Sequence, residues 1–213
     1  MYVLYRTAPL RSTCSQLLPS SSDSGRYNIE GATSNIWCTV LNMNGSNDRG
    51  SLLEGFHIEP TTVEQTIALR HAVLWPHKPE SHVRLPEDDS GYHFGAFVSS
   101  CDAPIAVISV FKEPLPPVID SEQDEASISE AKPPFEAGRF RKFACDSVYQ
   151  GHGVGTALLR HVFSAARDQL GCCVLWCDAR LSTSNWYERR GMQIFGPVFT
   201  KSGVGYIRMK ATL

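Results

Sequence analysis

The stretch "YQGHGVGTALLRHVFSAARDQL", Tyr149 to Leu170, constrains the fold more than any other part of the chain. Gly151, Gly153 and Gly155 fall at alternate positions, and an apolar helical period starts at once. Val154, Leu158, Leu159, Val162, Phe163, Ala166 and Leu170 share one face, while Arg160, Ser164 and Arg167 point outward, which is the spacing of a helix laid on a core. Such a helix must bury its apolar stripe against another element. The flanks supply candidates: "RFRKFAC" (Arg139 to Cys145) before it and "CCVLWCD" (Cys172 to Asp178) after it both read as strands.

The rest of the chain extends this pattern. "GFHIEP" reads as a short strand. Thr61 to Leu74 has helical spacing, with Val63, Ile67, Ala68, Val73 and Leu74 apolar and with Thr61 or Thr62 as cap. Glu64, three residues after Thr61, suits a capping box. "YHFGAFVSS" and "APIAVISVF" form a β-hairpin around Cys101 and Asp102. A short helix spans Ser184 to Arg190 and is closed by Gly191, and "MQIFGPVF" and "VGYIRMKA" are the last two strands. The order β-α-β-β-β-α-β-α-β-β predicts a mixed α/β fold of the α+β kind, built on one central sheet.

Two segments stand apart. Residues 1–52 hold "LLPSSSDSGR" and "NMNGSNDRG", with one possible strand, "NIWCTVL". They read as a poorly ordered extension, which places the folded domain at residues 53–213. The first 22 residues carry Arg6 and Arg11 and no acid. This loosely resembles a mitochondrial transit peptide, and an accidental polar extension is the alternative. The expected location is the cytoplasm, with the mitochondrial matrix left open. Residues 113–136 hold seven acids, five prolines and one lysine, and read as a solvated loop inserted between two strands.

Bulk properties exclude several classes. A net charge of −2 offers no basic surface for nucleic acid. No run approaches the roughly 18 apolar residues of a membrane span. The seven cysteines include no CxxC pair, so no metal site is expected. Within the Cys173 to Cys177 run they read as small hydrophobes in a buried strand, a usage that fits a reducing compartment.

The glycines at the helix mouth suggest an anion. The first N–H groups of a helix lack internal partners, and the dipole adds about half a positive charge there. A triphosphate loop would need a lysine after its last glycine, but Thr156 follows Gly155. A dinucleotide fingerprint would need the glycines directly after a strand. Here Asp146 to Tyr149 intervene, although Asp178 stands where a ribose-binding acid would. Glycines that only permit tight packing are a further alternative.

The spacing Gln150-x-x-Gly153-x-Gly155 resembles the pyrophosphate signature of the GNAT superfamily, the acyl-CoA-dependent N-acyltransferases. "NWYERRGM", with Trp186, Tyr187, Glu188, Gly191 and Met192, resembles the family's short helix after the next strand. The resemblance runs from about Phe56 to Lys210. It implies a GNAT-like fold: a central, mostly antiparallel sheet with splayed strands and flanking helices. It implies acetyl-CoA as co-substrate, with the pantetheine arm on the backbones of Phe143, Ala144 and Cys145. The pyrophosphate would lie on Gln150, Gly151, His152, Gly153, Val154, Gly155 and Thr156. It also implies acetyl transfer to a primary amine of a small molecule or peptide, by direct attack. Tyr187 matches the family's general acid. A phenol with pKa near about 10 keeps its proton at neutral pH and can donate to the leaving sulfur. The Cys145 N–H is the first candidate for holding the oxyanion.

Two positions depart from the family pattern: Arg180 stands where Asn is common and Thr183 where Ala is. No general base is apparent. Asp178, His93, Glu87, Asp88 and Asp89 are candidates, each also readable as a solvated surface group. A non-catalytic acyl-CoA-binding module on the same fold is the rival function. A homodimer is an open possibility.

Overall fold

The computed structural model describes residues 52–117 and 136–213. The N-terminal expectations for residues 1–51, including the "NIWCTVL" strand and the targeting peptide, lie outside the described residues, as does the acidic loop over 118–135.

The predicted order of elements is observed. It runs β1 (His57–Pro60), α1 (Val63–Leu74), β2 (Tyr92–Val98), β3 (Cys101–Lys112), β4 (Ala137–Cys145), α2 (Val154–Asp168), β5 (Val174–Arg180), α3 (Ser184–Glu188), β6 (Gln193–Lys201) and β7 (Val204–Thr212). The strands form one seven-stranded sheet in the order β1-β2-β3-β4-β5-β7-β6. Every neighbouring pair is antiparallel except β4 and β5. That single parallel pair follows from α2, the crossover helix between them.

Helices cover both faces of the sheet. Leu158, Leu159, Val162 and Ala166 of α2 pack on Phe94, Ile108, Phe140 and Leu175 in the main core. Leu69 and Leu74 of α1 pack on Val107 and Ala144 from the other side. With both faces covered, β3 is buried continuously from Ile105 to Phe111.

Local details refine the sequence reading. The cap of α1 is Thr62, and its capping box closes on Gln65 rather than Glu64. Ala68, expected on the apolar face, is exposed, while Arg70 is fully buried. The short helix ends as expected: Gly191, at φ 87°, accommodates the left-handed turn, and the Met192 N–H donates to Tyr187 O. Cys145, Cys172 and Cys177 are free and buried, as small hydrophobes would be. Cys173 is exposed, and Cys101 is disulfide-bonded.

Candidate active site

The parallel pair β4–β5 is joined only at its start. Ala137 faces Val174, Gly138 faces Leu175 and Arg139 faces Trp176, and the pairing ends there. Each strand keeps its other partner further along: β4 stays with β3 to Ala106↔Cys145, and β5 stays with β7 to Arg180↔Tyr206. From Phe140 to Cys145, therefore, β4 turns an edge without ladder pairs toward β5.

A β-bulge accompanies this opening. Between Val107↔Ala144 and Ser109↔Arg141, the two residues Lys142 and Phe143 oppose the single residue Ile108. Lys142 takes φ 53°. The extra residue bends β4 and increases its local twist. The opening is a cleft of about 200 Å³ lined by Trp75, Phe140, Lys142, Phe143, Asp178 and Tyr187, among others.

The glycine loop follows the end of β4. A single 3-10 turn, Ser147–Tyr149, is capped by Asp146, whose carboxylate accepts from the Val148 N–H at 2.9 Å. Tyr149 anchors the turn in the core. The Gln150 side-chain amide donates to Cys145 O at 2.9 Å, so it fastens the loop to the end of β4. Gly151 and Gly153 take φ 83° and 88°, and a Cβ at either would meet only open space. Glycine is needed there for backbone conformation, and among the described residues no atom lies within 4 Å of either Cβ position. His152 is exposed. Val154 and Gly155 are buried in the first turn of α2. The first intrahelical bond runs from Ala157 N to Gly153 O at 3.0 Å, which leaves the N–H groups of Val154, Gly155 and Thr156 without helical partners. No acid lies in that turn. Arg190 adds a cation nearby: its Nε donates to Thr156 Oγ1 at 2.9 Å, and its guanidinium stacks 3.6 Å from the centroid of the Trp186 ring. Open left-handed glycines, orphan N–H groups and a neighbouring cation fit a diphosphate.

Tyr187 is 2% exposed and lines the cleft. Its ring lies 5.9 Å from that of Phe140 and 5.0 Å from that of Trp186. Phe143, Ala144 and Cys145 are buried along the open stretch of β4. Of the expected site residues, Phe143 and Tyr187 line the cleft, and the glycine loop follows the end of β4 in the chain. Of the two departures, the Arg180 guanidinium faces the Trp75 ring at 5.9 Å, and the Thr183 hydroxyl donates to Arg180 O at 2.9 Å.

The five acid-base candidates separate. Asp178 lines the cleft but is held by Arg139 and by Lys201 at 2.6 Å. Glu87 pairs with Arg141, and Asp89 is exposed. Asp88 and His93 are not surface groups. Asp88 is 2% exposed and accepts from Arg70 Nη1 at 2.8 and 3.0 Å and from Leu85 N at 2.8 Å. His93 Nε2 lies 2.8 Å from Asp88 O, the geometry of an N–H donating to a carbonyl. Its Nδ1 then accepts from Ser109 Oγ at 2.7 Å. Arg70 Nη2 donates to the same Ser109 oxygen at 2.6 Å. This buried network welds the 75–91 loop to α1, β2 and β3.

Sequence reasoning missed Lys142, Arg190 and the ion pairs of Arg139 and Arg141. Glu113, at the foot of the acidic segment, accepts from both arginines at 2.7 Å. Lys142 is held below the usual lysine range, first by burial and then by repulsion from Arg70. No residue type announces a bulge of this kind. Arg190, however, stands four residues after Trp186, just past the end of α3, and its Nη1 donates to Trp186 O at 2.7 Å.

Comparison with known proteins agrees with this geometry. The model of the "Acetyltransferase (GNAT) domain" family matches residues 118–193. The chain is 27% identical over 159 residues to the uncharacterized N-acetyltransferase YitI of Bacillus subtilis (strain 168), covering 73% of this chain and 95% of that one. A candidate N-acetyltransferase from Lactobacillus plantarum superposes with TM-score 0.58 at 19% identity, covering 75% of this chain and 99% of its own. The NatC complex bound to Gag peptide and CoA gives TM-score 0.54 at 14% identity, over 75% and 99% of the two chains.

Proposed function

We propose that this chain, a member of the GNAT superfamily of N-acetyltransferases, binds acetyl-CoA in the β4–β5 opening and transfers its acetyl group to a primary amine. The observation that carries this reading is the loss of β4–β5 pairing after Arg139↔Trp176, on the strand that leads into the glycine loop. The β4 backbone from Phe143 to Cys145, beyond the last ladder pair with β5, can hydrogen-bond the pantetheine amides. The N–H groups from Gly151 to Thr156 can receive the pyrophosphate, with Gln150 holding the loop in place. Acetyl-CoA supplies an activated carbonyl with a thiol leaving group.

In the proposed reaction the amine nitrogen forms a bond to the carbonyl carbon while the C–S bond breaks. The nitrogen gives up one proton, for which water leading out of the open cleft is the simplest acceptor. The Cys145 N–H faces the developing oxyanion. Tyr187 donates its hydroxyl proton to the departing sulfur and regains one from solvent. Asp178 is a poor candidate for general base, because its carboxylate is already engaged by Arg139 and Lys201.

The rival is a CoA-binding module without turnover. Calorimetry with CoA and thiol release across an amine panel separate the two. Binding together with release from at least one amine supports the enzyme. Binding with no release from any amine supports the module.

A further inference from the structure

The walls of the cleft carry an unbalanced charge. Arg139, Arg141, Lys142 and Lys201 line it, with Asp178 as the one lining carboxylate. Two more carboxylates reach in behind. Arg139 is compensated by Glu113 and Asp178, Arg141 by Glu113 and Glu87, and Lys201 by Asp178. Lys142 is left over: among the described residues its ammonium has no ion pair or hydrogen bond. Lys142 lies on the β4 bulge, between Arg141 and Phe143, and lines the opening. The other wall is apolar, formed by Leu74 and Trp75.

Resting on the transferase reading above, we propose that the acceptor carries a carboxylate beside its reactive amine, and that Lys142 binds this carboxylate. The carboxylate supplies the negative partner that Lys142 lacks and hydrogen-bonds a half-buried ammonium. It also relieves the repulsion between Lys142 and Arg70. A polyamine is the wrong complement, because Asp178, Glu87 and Glu113 are all engaged by arginine or lysine.

The test is thiol release with matched pairs of amines: glycine against glycinamide and β-alanine against β-alaninamide, with spermidine added. Rates are referred to the free-base amine. Wild-type enzyme is expected to prefer the carboxylate member on the order of tenfold in kcat/KM, the scale of a charge-assisted hydrogen bond. Lys142→Gln should bring that ratio close to one, and Lys142→Arg should restore it. Circular dichroism and CoA affinity establish that each variant is folded. A wild-type ratio near one, spermidine as the best acceptor, or a ratio unchanged in Lys142→Gln overturns the proposal while leaving the transferase reading intact. No release from any amine, charged or uncharged, overturns the transferase reading and this inference with it.

Discussion

Gly153 sits at φ 88° with nothing within 4 Å of where a Cβ would stand. Space is therefore not what forbids a side chain there; backbone conformation is. Gly153→Ala should cost about 1–2 kcal/mol in denaturant unfolding, the left-handed penalty for an L-residue. Gly153→Asp adds a charge that repels phosphate, so CoA binding should be lost in calorimetry while the α2 helical signal persists. If CoA binds normally to Gly153→Asp, the pyrophosphate does not lie there. Tyr187→Phe should lower kcat by 10²-fold or so, the usual scale of a general acid, and leave CoA affinity within a factor of two or so. An unchanged kcat would remove the tyrosine from the chemistry. The glycine turn and the short helix that carries Tyr187 were legible because such elements depend on residue type and spacing. The bulge at Lys142 was not, because it comes from a positive φ and from pairing with residues distant in sequence. Arg70 was hidden for a related reason. An arginine in an amphipathic helix reads as solvent-facing, and only the fold brings Asp88 and Ser109 to meet it.

Among the elements, α1 shows how local signals and tertiary ones divide. Its cap was anticipated, but two adjacent threonines left the choice open by one residue. The bond from Gln65 N to Thr62 Oγ1 settles it. Thr62→Ala should destabilise by about 1 kcal/mol. Thr61→Ala should cost less, since Thr61 bonds only the Gln65 side chain. The inner face of α1 tells a different story. Arg70→Met leaves Asp88 buried with its ion partner gone, and thermal or denaturant unfolding should register a loss on the order of 3–5 kcal/mol. The paired change Arg70→Met with Asp88→Leu should recover part of it; an additive loss would deny the coupling. The strands were easier to find than the splay between β4 and β5. Alternation and apolar runs mark where a strand is, whereas the point at which two strands part depends on an extra residue that leaves no mark on composition.

Across the whole molecule, the half-buried charge of Lys142 couples stability to pH. Lys142 has its folded pKa below the ordinary 10.5 because of burial and Arg70, with Arg141 adding repulsion and Asp88 and Glu87 opposing it. Between the lowered value and 10.5, the unfolded chain binds the extra proton. Unfolding free energy should therefore rise with pH through that window, and the difference between wild type and Lys142→Gln should carry the slope. A flat difference would mean that Lys142 is as solvated in the folded chain as in the unfolded one.

The acidic segment leaves β3 and returns to β4 at residues that already face each other, Lys112↔Gly138, with Lys112 and Glu136 also joined by a salt bridge at 3.0 Å. A hairpin can be closed at such a point by a turn of a few residues or by two dozen. Closure entropy grows only with the logarithm of the length, by roughly 0.6 kcal/mol for each doubling. The number of residues between the two strands is thus nearly free to drift without disturbing strand register. Glu113 is not, since it holds the two arginines of the cleft wall. The segment behaves as a strap of adjustable length with a fixed buckle, and selection for the cleft should act on the buckle.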